Sequence, residues 1–402
     1  MNLTADDSKN AGVRNERLVI DLLRGHGPLS QAMICTKTGL GSSTISYIVR
    51  RLREKGLIFE KLGNSTRRGA KPVLIDINSA GQFIIGTEIN PSYLLIGLFD
   101  FGRNLVDQIK VSLDLDHSAE KVVHLFEVNF KGLLSKNDIS YNKLAGIGVT
   151  LSGSISSEGV VQLSSPLGWK NVPLKELLAQ KFDCSVDIYT TKVRLLAEMN
   201  TQPPLSSKNI VYLNVANGVG LTSIVDGRLI HGSTNRCGEL GHVVIDPEGP
   251  LCGCGQRGCL EAHISGPAIA KKIKDDIAAG TISVLSKLIT SQDTPEDNAE
   301  KLKQAIENND AYAIGIRGFI ADRLSRSAAM AINFFDPDSL ILAGYVCEMC
   351  PDYFAECIKS RFEIDVYDQS SRNIEVVFAR AGQQALISGV AAAVLQEQFK
   401  FE

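Results

Sequence analysis

The sequence lacks any apolar run that approaches the roughly 18 residues needed to span a bilayer. Its first stretch, MNLTADDSKN, also lacks the basic segment followed by an apolar segment that is typical of an export signal. Both absences argue against a membrane or secreted protein. We therefore expect a cytoplasmic protein.

A disulfide framework is also not indicated. The nine cysteines are odd in number and unevenly spread, and a long chain without an export signal rarely forms disulfides. Three of the cysteines crowd into residues 252–259, which points to a metal site. The length of 402 residues and the hydrophobic content of 44% predict two or three globular domains with a large buried core.

The charge is distributed unevenly along the chain. Residues 1–78 contain 13 Lys and Arg against 7 Asp and Glu, whereas the remainder contains 29 against 38. The N-terminal part is therefore basic and the rest is acidic. This asymmetry is expected if only the N-terminal part meets a polyanion such as DNA.

Residues 1–78 predict three short helices followed by a hairpin. Helical periodicity indicates a first helix at 15–24, a second helix capped by Ser30 and ended by Gly39, and a third helix capped by Ser42 or Ser43. One face of the third helix is apolar and the opposite face is polar and basic. Short polar residues followed by arginines suit a recognition helix that reads base edges first and phosphates later. The expected DNA contacts from this helix are Ser43, Thr44, Ser46, Tyr47, Arg50 and Arg51.

The hairpin is expected to form a basic wing. Two strand-like stretches flank the segment GNSTRRGAK, which places Arg67, Arg68 and Lys71 at the tip. A basic tip can enter a minor groove or clamp the DNA backbone. The pattern predicts a winged helix-turn-helix that binds a double-stranded DNA operator as a dimer. The alternative is a protein-interaction module whose basic residues form a solvated face.

A cysteine-histidine cluster occurs in the second half of the chain. His242, Cys252, Cys254 and Cys259 follow the spacing H-x9-C-x-C-x4-C. One imidazole and three thiolates describe a closed tetrahedral Zn²⁺ site, which is structural rather than catalytic. The alternative is that the cysteines are small apolar residues in a buried loop.

The stretch GELGHVVIDPEGPLCGCGQRGCLEAHISG at residues 238–266 resembles the signature of the ROK family (repressors, open reading frames and kinases). The winged helix with its RRGAKP segment resembles the repressor branch, which includes the xylose and N-acetylglucosamine repressors. The resemblance implies an α/β protein with a winged helix-turn-helix at 1–78 and a two-lobed, actin-like (ribonuclease-H-like) sugar-kinase body. The lobes would span 79–198 and 199–402, the second with the zinc site and the dimerisation surface of a homodimer or higher oligomer.

The kinase residues of the family are altered here. The phosphate-binding turn Asp-x-Gly-Gly-Thr matches Glu88 to Ser92, where Pro91 removes a backbone donor. The family's catalytic aspartate falls on Thr190 or Thr191, and a threonine hydroxyl is not a base near neutral pH. Asp187 comes too early in the chain to take this place. We therefore predict no catalytic residue and no enzyme activity.

Other parts of the family's sugar site persist. By resemblance, Glu239, His242 and Glu261 contact sugar hydroxyls, Ser152 and Gly153 match the sugar loop, and Thr190 takes the place of the aspartate. The alternative for Glu239 and Glu261 is support of the zinc loop.

The leading interpretation is a repressor of sugar-catabolism genes with a sugar or sugar-phosphate effector. A regulator that responds to a protein partner and an active sugar kinase with an added head are the alternatives.

Changing Arg67 and Arg68 to alanine should weaken DNA binding and flatten its dependence on salt, because each arginine that neutralises a phosphate releases counterions. Titration of duplex DNA at several salt concentrations measures both effects. Unchanged affinity and an unchanged salt slope would contradict the predicted role of the wing.

Overall fold

The computed structural model describes residues 5–63, 72–113, 118–164, 166–201 and 208–397. Among these residues, no helix combines the length and the apolar composition that crossing a bilayer requires.

The chain forms two compact units. One unit comprises Met1–Pro204 together with Ala381–Glu402, and the other comprises Leu205–Arg380. This grouping differs from the predicted division at residues 78 and 198, because it joins the head to the first sheet and adds the last helix to the same unit. The three predicted segments remain a prediction.

The head consists of three helices and a two-stranded antiparallel sheet. Its elements are α1 (Ala5–His26), α2 (Gln31–Thr38), α3 (Ser42–Glu54), β1 (Ile58–Leu62) and β2 (Val73–Ile77).

The ends of α2 confirm two predictions. The Ser30 side chain accepts a hydrogen bond from the Met33 amide, and Gly39 ends the helix in the left-handed conformation at φ 71°. The predicted cap of α3 was wrong, because Gly41 occupies the N-cap and the helix already begins at Ser42. The apolar face of α3 is buried as predicted, through Ile45, Ile48, Val49 and Leu52.

The first unit continues with a five-stranded mixed sheet in the order β10-β6-β3-β4-β5 and a small sheet of β7, β8 and β9. The strands are β3 (Phe83–Asn90), β4 (Tyr93–Asp100), β5 (Leu105–Ser112), β6 (Leu144–Leu151), β7 (Ser154–Ile155), β8 (Val161–Ser164), β9 (Trp169–Val172) and β10 (Val186–Thr190). The helices along this part of the chain are α4 (Ala119–Lys136), α5 (Leu174–Ala179) and α6 (Arg194–Thr201).

The second unit has its own five-stranded sheet in the order β13-β12-β11-β14-β15. The strands are β11 (Ile210–Val215), β12 (Val219–Val225), β13 (Arg228–Leu229), β14 (Ser339–Ala343) and β15 (Glu375–Phe378). The helices are α7 (Glu261–Ile264), α8 (Gly266–Ala278), α9 (Leu285–Leu288), α10 (Pro295–Glu307), α11 (Ala311–Phe335), α12 (Tyr345–Glu348) and α13 (Pro351–Asp365).

The last helix, α14 (Ala385–Glu397), packs on β3 and β6 of the first unit. Its sequence is apolar on every side, which is typical of a helix buried in a core. Gly389 permits the close approach, because a Cβ at this position would lie 1.9 Å from the Val193 carbonyl oxygen. The core around α14 also includes Val19 of α1 and Phe99 of β4, so the head and the first sheet share one apolar cluster.

Replacing Gly389 with alanine should lower the thermal midpoint, because the new methyl group meets backbone that cannot move away, and such overpacking costs about 1–3 kcal/mol. Gly132 in the last third of α4 is the matched control, since a Cβ there meets nothing within 4 Å. Gly132→Ala should leave the midpoint unchanged or raise it slightly. Equal midpoints for the two variants in differential scanning calorimetry would contradict the tight contact.

Candidate DNA interface and ligand site

The outer face of α3 is available to a large ligand. Ser43, Ser46, Tyr47 and Arg50 are exposed, whereas Thr44 is half-buried. The Ser46 hydroxyl donates to Gln31 Oε1 at 2.9 Å, which joins α3 to α2. The Arg50 guanidinium lies 5.6 Å from the ring centroid of Tyr47. These side chains form a polar and basic surface of the kind predicted for a recognition helix.

Arg51 has a second role that sequence reasoning missed. Its guanidinium contacts Glu16 Oε1 of α1 at 3.0 Å, and Lys55 contacts the other oxygen, Oε2, at 3.2 Å. Glu16 is only 3% exposed, and a buried carboxylate needs partners of opposite charge. Arg51 therefore holds α3 to α1 in addition to facing Tyr47. The predicted wing residues Arg67, Arg68 and Lys71 lie outside the described residues.

The four predicted metal ligands come together in the second unit. The ligand atoms of His242, Cys252, Cys254 and Cys259 all lie within 4.8 Å of one another. His242 Nδ1 and Cys252 Sγ are 3.7 Å apart, and the sulfurs of Cys254 and Cys259 are 3.6 Å apart. Two sulfurs bound to one tetrahedral Zn²⁺ at about 2.3 Å each would be separated by about 3.8 Å. The donor set and its spacing therefore fit this ion.

The backbone of the loop explains how the sulfurs converge. The amide of Cys252 donates to the Gln256 carbonyl, and the amide of Gly255 donates to the Cys252 carbonyl, which closes a tight turn. Gly258 has φ 71°, and a Cβ there would lie 1.5 Å from the Asp246 carbonyl oxygen. Glycine is therefore required where the chain returns to Cys259.

Burial opposes ionisation of two of the three thiols. It raises the pKa of the Cys259 thiol to about 12 and also raises the pKa of Cys252. The backbone amide of Gln256 lowers the pKa of the more exposed Cys254. A buried thiolate is stable only beside a cation, so a divalent metal would supply what the loop lacks.

The predicted sugar contacts of the second unit surround the same loop. Glu239 is exposed and immediately precedes the 3-10 turn Leu240–His242. Glu261 is half-buried at the start of α7, and its Oε2 accepts a hydrogen bond from the Val219 amide at 2.9 Å. Glu261 thus supports β12 with one carboxylate oxygen. This contact is with β12 and not with the zinc loop, so ligand contact by Glu261 or Glu239 and support of the zinc loop both stay predictions.

The predicted sugar contacts of the first unit lie at adjacent strand ends. Ser152 and Gly153 follow β6, and Thr190 is the last residue of β10. The two strands are parallel, and Thr190 pairs with Leu151 in register. These three residues are therefore neighbours at the carboxyl edge of the sheet.

The altered phosphate-binding turn uses its polar groups internally. The Ser92 amide donates to Asn90 Oδ1 at 3.0 Å, and the Tyr93 hydroxyl donates to Glu88 Oε1 at 3.1 Å. Burial raises the pKa of Glu88. Asp187 lies on β10, where its Oδ1 forms an ion pair with Lys175 at 2.9 Å.

Two protein-family models match different parts of the chain. A model of the ROK family matches residues 85–397, and a model of the MarR family matches residues 14–69. The chain is 25% identical over 392 residues to a protein named xylose repressor from Caldicellulosiruptor bescii, with 96% of each chain covered. It is 28% identical over 264 residues to a glucokinase from Thermotoga maritima, which covers 65% of this chain and 81% of the kinase.

One solved structure matches the chain almost completely. It is described as a ROK family transcriptional regulator and a homologue of the E. coli MLC protein. The TM-score is 0.82 at 24% identity, and 97% of each chain is covered. The fold class predicted from the sequence, a winged helix-turn-helix joined to an actin-like kinase fold, is confirmed.

Replacing Cys254 with serine should lower the thermal midpoint and release about one equivalent of zinc, because metal binding in such loops contributes to folding. Cys357→Ser is the control, since Cys357 is a half-buried thiol of the same unit that lies outside the cluster. Elemental analysis and calorimetry measure the two effects. Full metal content and an unchanged midpoint in Cys254→Ser would count against the site.

Proposed function

The chain belongs to the ROK family, and from this premise we propose that it is a sugar-responsive transcriptional repressor of sugar-catabolism genes. The observation that carries the proposal is that a xylose repressor matches this chain over 96% of both lengths, head included. The matching glucokinase covers 65% of this chain. The repressor thus matches both the head and the body of this chain.

The head binds the operator through α3. The exposed residues of α3 offer short hydroxyls toward its start and Tyr47 and Arg50 in its middle, which suits base edges and phosphates respectively. Arg67, Arg68 and Lys71 of the wing add phosphate contacts in this proposal. Two heads in a homodimer would read two half-sites, because one head of this size buries too little surface for tight specific binding.

The effector is a sugar or sugar phosphate. In the first unit we assign sugar contact to Ser152, Gly153 and Thr190. In the second unit, taken by itself, we assign sugar contact to Glu239, His242 and Glu261. Carboxylates accept pairs of hydroxyl donors, and a histidine bound to metal through Nδ1 has its Nε2 left for a ligand. For Glu261 the contact would come from the carboxylate oxygen that Val219 does not use.

A structural Zn²⁺ ion would be bound by His242, Cys252, Cys254 and Cys259. When bound, the ion stabilises the thiolates and leaves no open coordination position for chemistry. Two residues of the chain support the loop and its surroundings. Gly258 permits the tight loop backbone, and Glu261 joins α7 to β12.

Phosphoryl transfer is not part of the proposed function. Thr190 and Thr191 stand where a kinase needs a base, and the hydrogen bond from Ser92 to Asn90 uses an amide of the altered turn. Asp187 is held by Lys175.

A repressor works where the chromosome lies, so we propose a cytoplasmic location.

The test is titration of the full-length protein against a DNA fragment from upstream of its own gene, with a random duplex of equal length as reference. Arg50→Ala should weaken binding and reduce the slope of log affinity against log salt by about one, because one phosphate contact is lost. One sugar or sugar phosphate from a panel should change the affinity of the unmodified protein.

Arg326→Ala is the matched control, because Arg326 is an exposed helical arginine of the second unit. It should bind as the unmodified protein does. Equal affinity for the fragment and the random duplex at physiological salt would refute the proposed function.

A further inference from the structure

Arg24, near the end of α1, makes two kinds of contact with Phe101 of the body. Its Nε and Nη2 both donate to the Phe101 carbonyl oxygen, at 3.0 and 2.8 Å. Its guanidinium also lies over the Phe101 ring, 4.5 Å from the centroid. The Arg24 side chain is only 8% exposed, and Phe101 is fully buried. Removing an arginine from water is costly. Arg24 is therefore stable in this buried position only because its contacts with Phe101 offset that cost.

Phe101 begins the turn between β4 and β5, and this turn makes a second contact with α1. Arg103 donates from Nη2 to Asp21 Oδ1 at 2.9 Å. Arg103 has φ 72°, a left-handed conformation that is strained for a residue with a side chain. The Phe101 amide donates to the Ser79 carbonyl, which attaches the turn to the segment that follows the head. The turn is thus fixed to α1 at two points.

The same helix holds the recognition helix. Glu16 of α1 forms ion pairs with Arg51 of α3 at 3.0 Å and with Lys55, which follows the last residue of α3, at 3.2 Å. Glu16 and Arg24 are separated by roughly two helical turns, or about 12 Å along the axis. A rigid helix of this length moves as one piece. A shift of the β4–β5 turn therefore reaches α3 through α1.

The other end of β4 lies at the altered phosphate-binding turn. Tyr93 is the first residue of β4, and its hydroxyl donates to the buried Glu88 of β3. The strand has eight residues and spans about 26 Å. One continuous strand, paired with β3 and β5 and with one irregularity in the β5 pairing at Leu98/Phe99, thus connects the turn at Asn90 to the turn that holds Arg24.

We propose that Arg24 is a positioning residue through which the state of the body is passed to the recognition helix. The path runs from the turn at Asn90 along β4 to Phe101, through Arg24 into α1, and from Glu16 to α3. This inference rests on the proposed function, because it concerns the regulation of DNA binding. By thermodynamic linkage, DNA bound to the head changes the equilibrium of the body by the same coupling free energy, and in this proposal that effect passes through the contact of Arg24.

That reciprocity supplies a test that needs no known effector. The full-length protein is mixed with the fragment from upstream of its own gene, and amide hydrogen exchange is followed at residues 89–105. We expect DNA to change exchange in this segment by about fivefold or more in the unmodified protein. Arg24→Met, which keeps the apolar stem but loses both donors, should still bind the fragment and should lose this change.

Two further variants separate positioning from simple support. Arg17→Lys is the matched control, since Arg17 of α1 pairs with Asp21 at the surface and should keep the DNA-induced change. Arg24→Lys retains one charged donor for Phe101, so it should restore part of the change. Arg24→Lys also serves as the test variant if Arg24→Met does not fold, and it should then show a smaller change than the unmodified protein.

The possible failures differ from one another. If the unmodified protein does not distinguish the fragment from random duplex, the proposed function fails and this inference fails with it. If it binds the fragment without any change at residues 89–105, or if Arg24→Met keeps the full change, the inference alone is overturned.

Discussion

The shared apolar core of the head and the first sheet is the constraint on which the rest of the structure depends. Val19 and Ile20 of α1 belong to the same buried cluster as Phe99 and Phe101 of the body and Val390 of α14. A head attached by a flexible linker could bind DNA whatever the body does. Because this head is packed into the body, its orientation is part of the fold, and the polar contacts of α1 act on an already rigid frame.

Two polar features are built into this frame in different ways. The contacts of α1 place charged groups where burial makes each partner necessary, as with Glu16 and Arg24. The thiol-histidine loop instead contains two thiols whose burial opposes ionisation, and a bound cation would offset that cost. The first arrangement is complete within the chain. The second fits the chemistry of a metal site.

Local patterns in the sequence predicted local structure well. Ser30 and Gly39 bound α2, the apolar face of α3 is buried, and the four spaced ligands converge. One local prediction, the cap of α3, was wrong, and the contacts that the patterns missed join elements that are distant in the chain. The ion pair of Arg51 with Glu16 was missed, while the DNA contact of Arg51 stays a prediction. The contact of Arg24 with a carbonyl 77 residues away was also missed. Periodicity and spacing describe one element at a time, so they do not report which element packs against which.

The position of α14 has a consequence for the order in which the protein is made. The helix covers β3 and β6, yet it follows the whole second unit in the chain. During synthesis, residues 83–151 leave the ribosome long before residues 385–397. The face of the first sheet that α14 covers therefore stays exposed while the second unit is synthesised. Contacts this far apart in sequence form slowly. The DNA-reading half of the molecule is therefore completed last, although it is translated first.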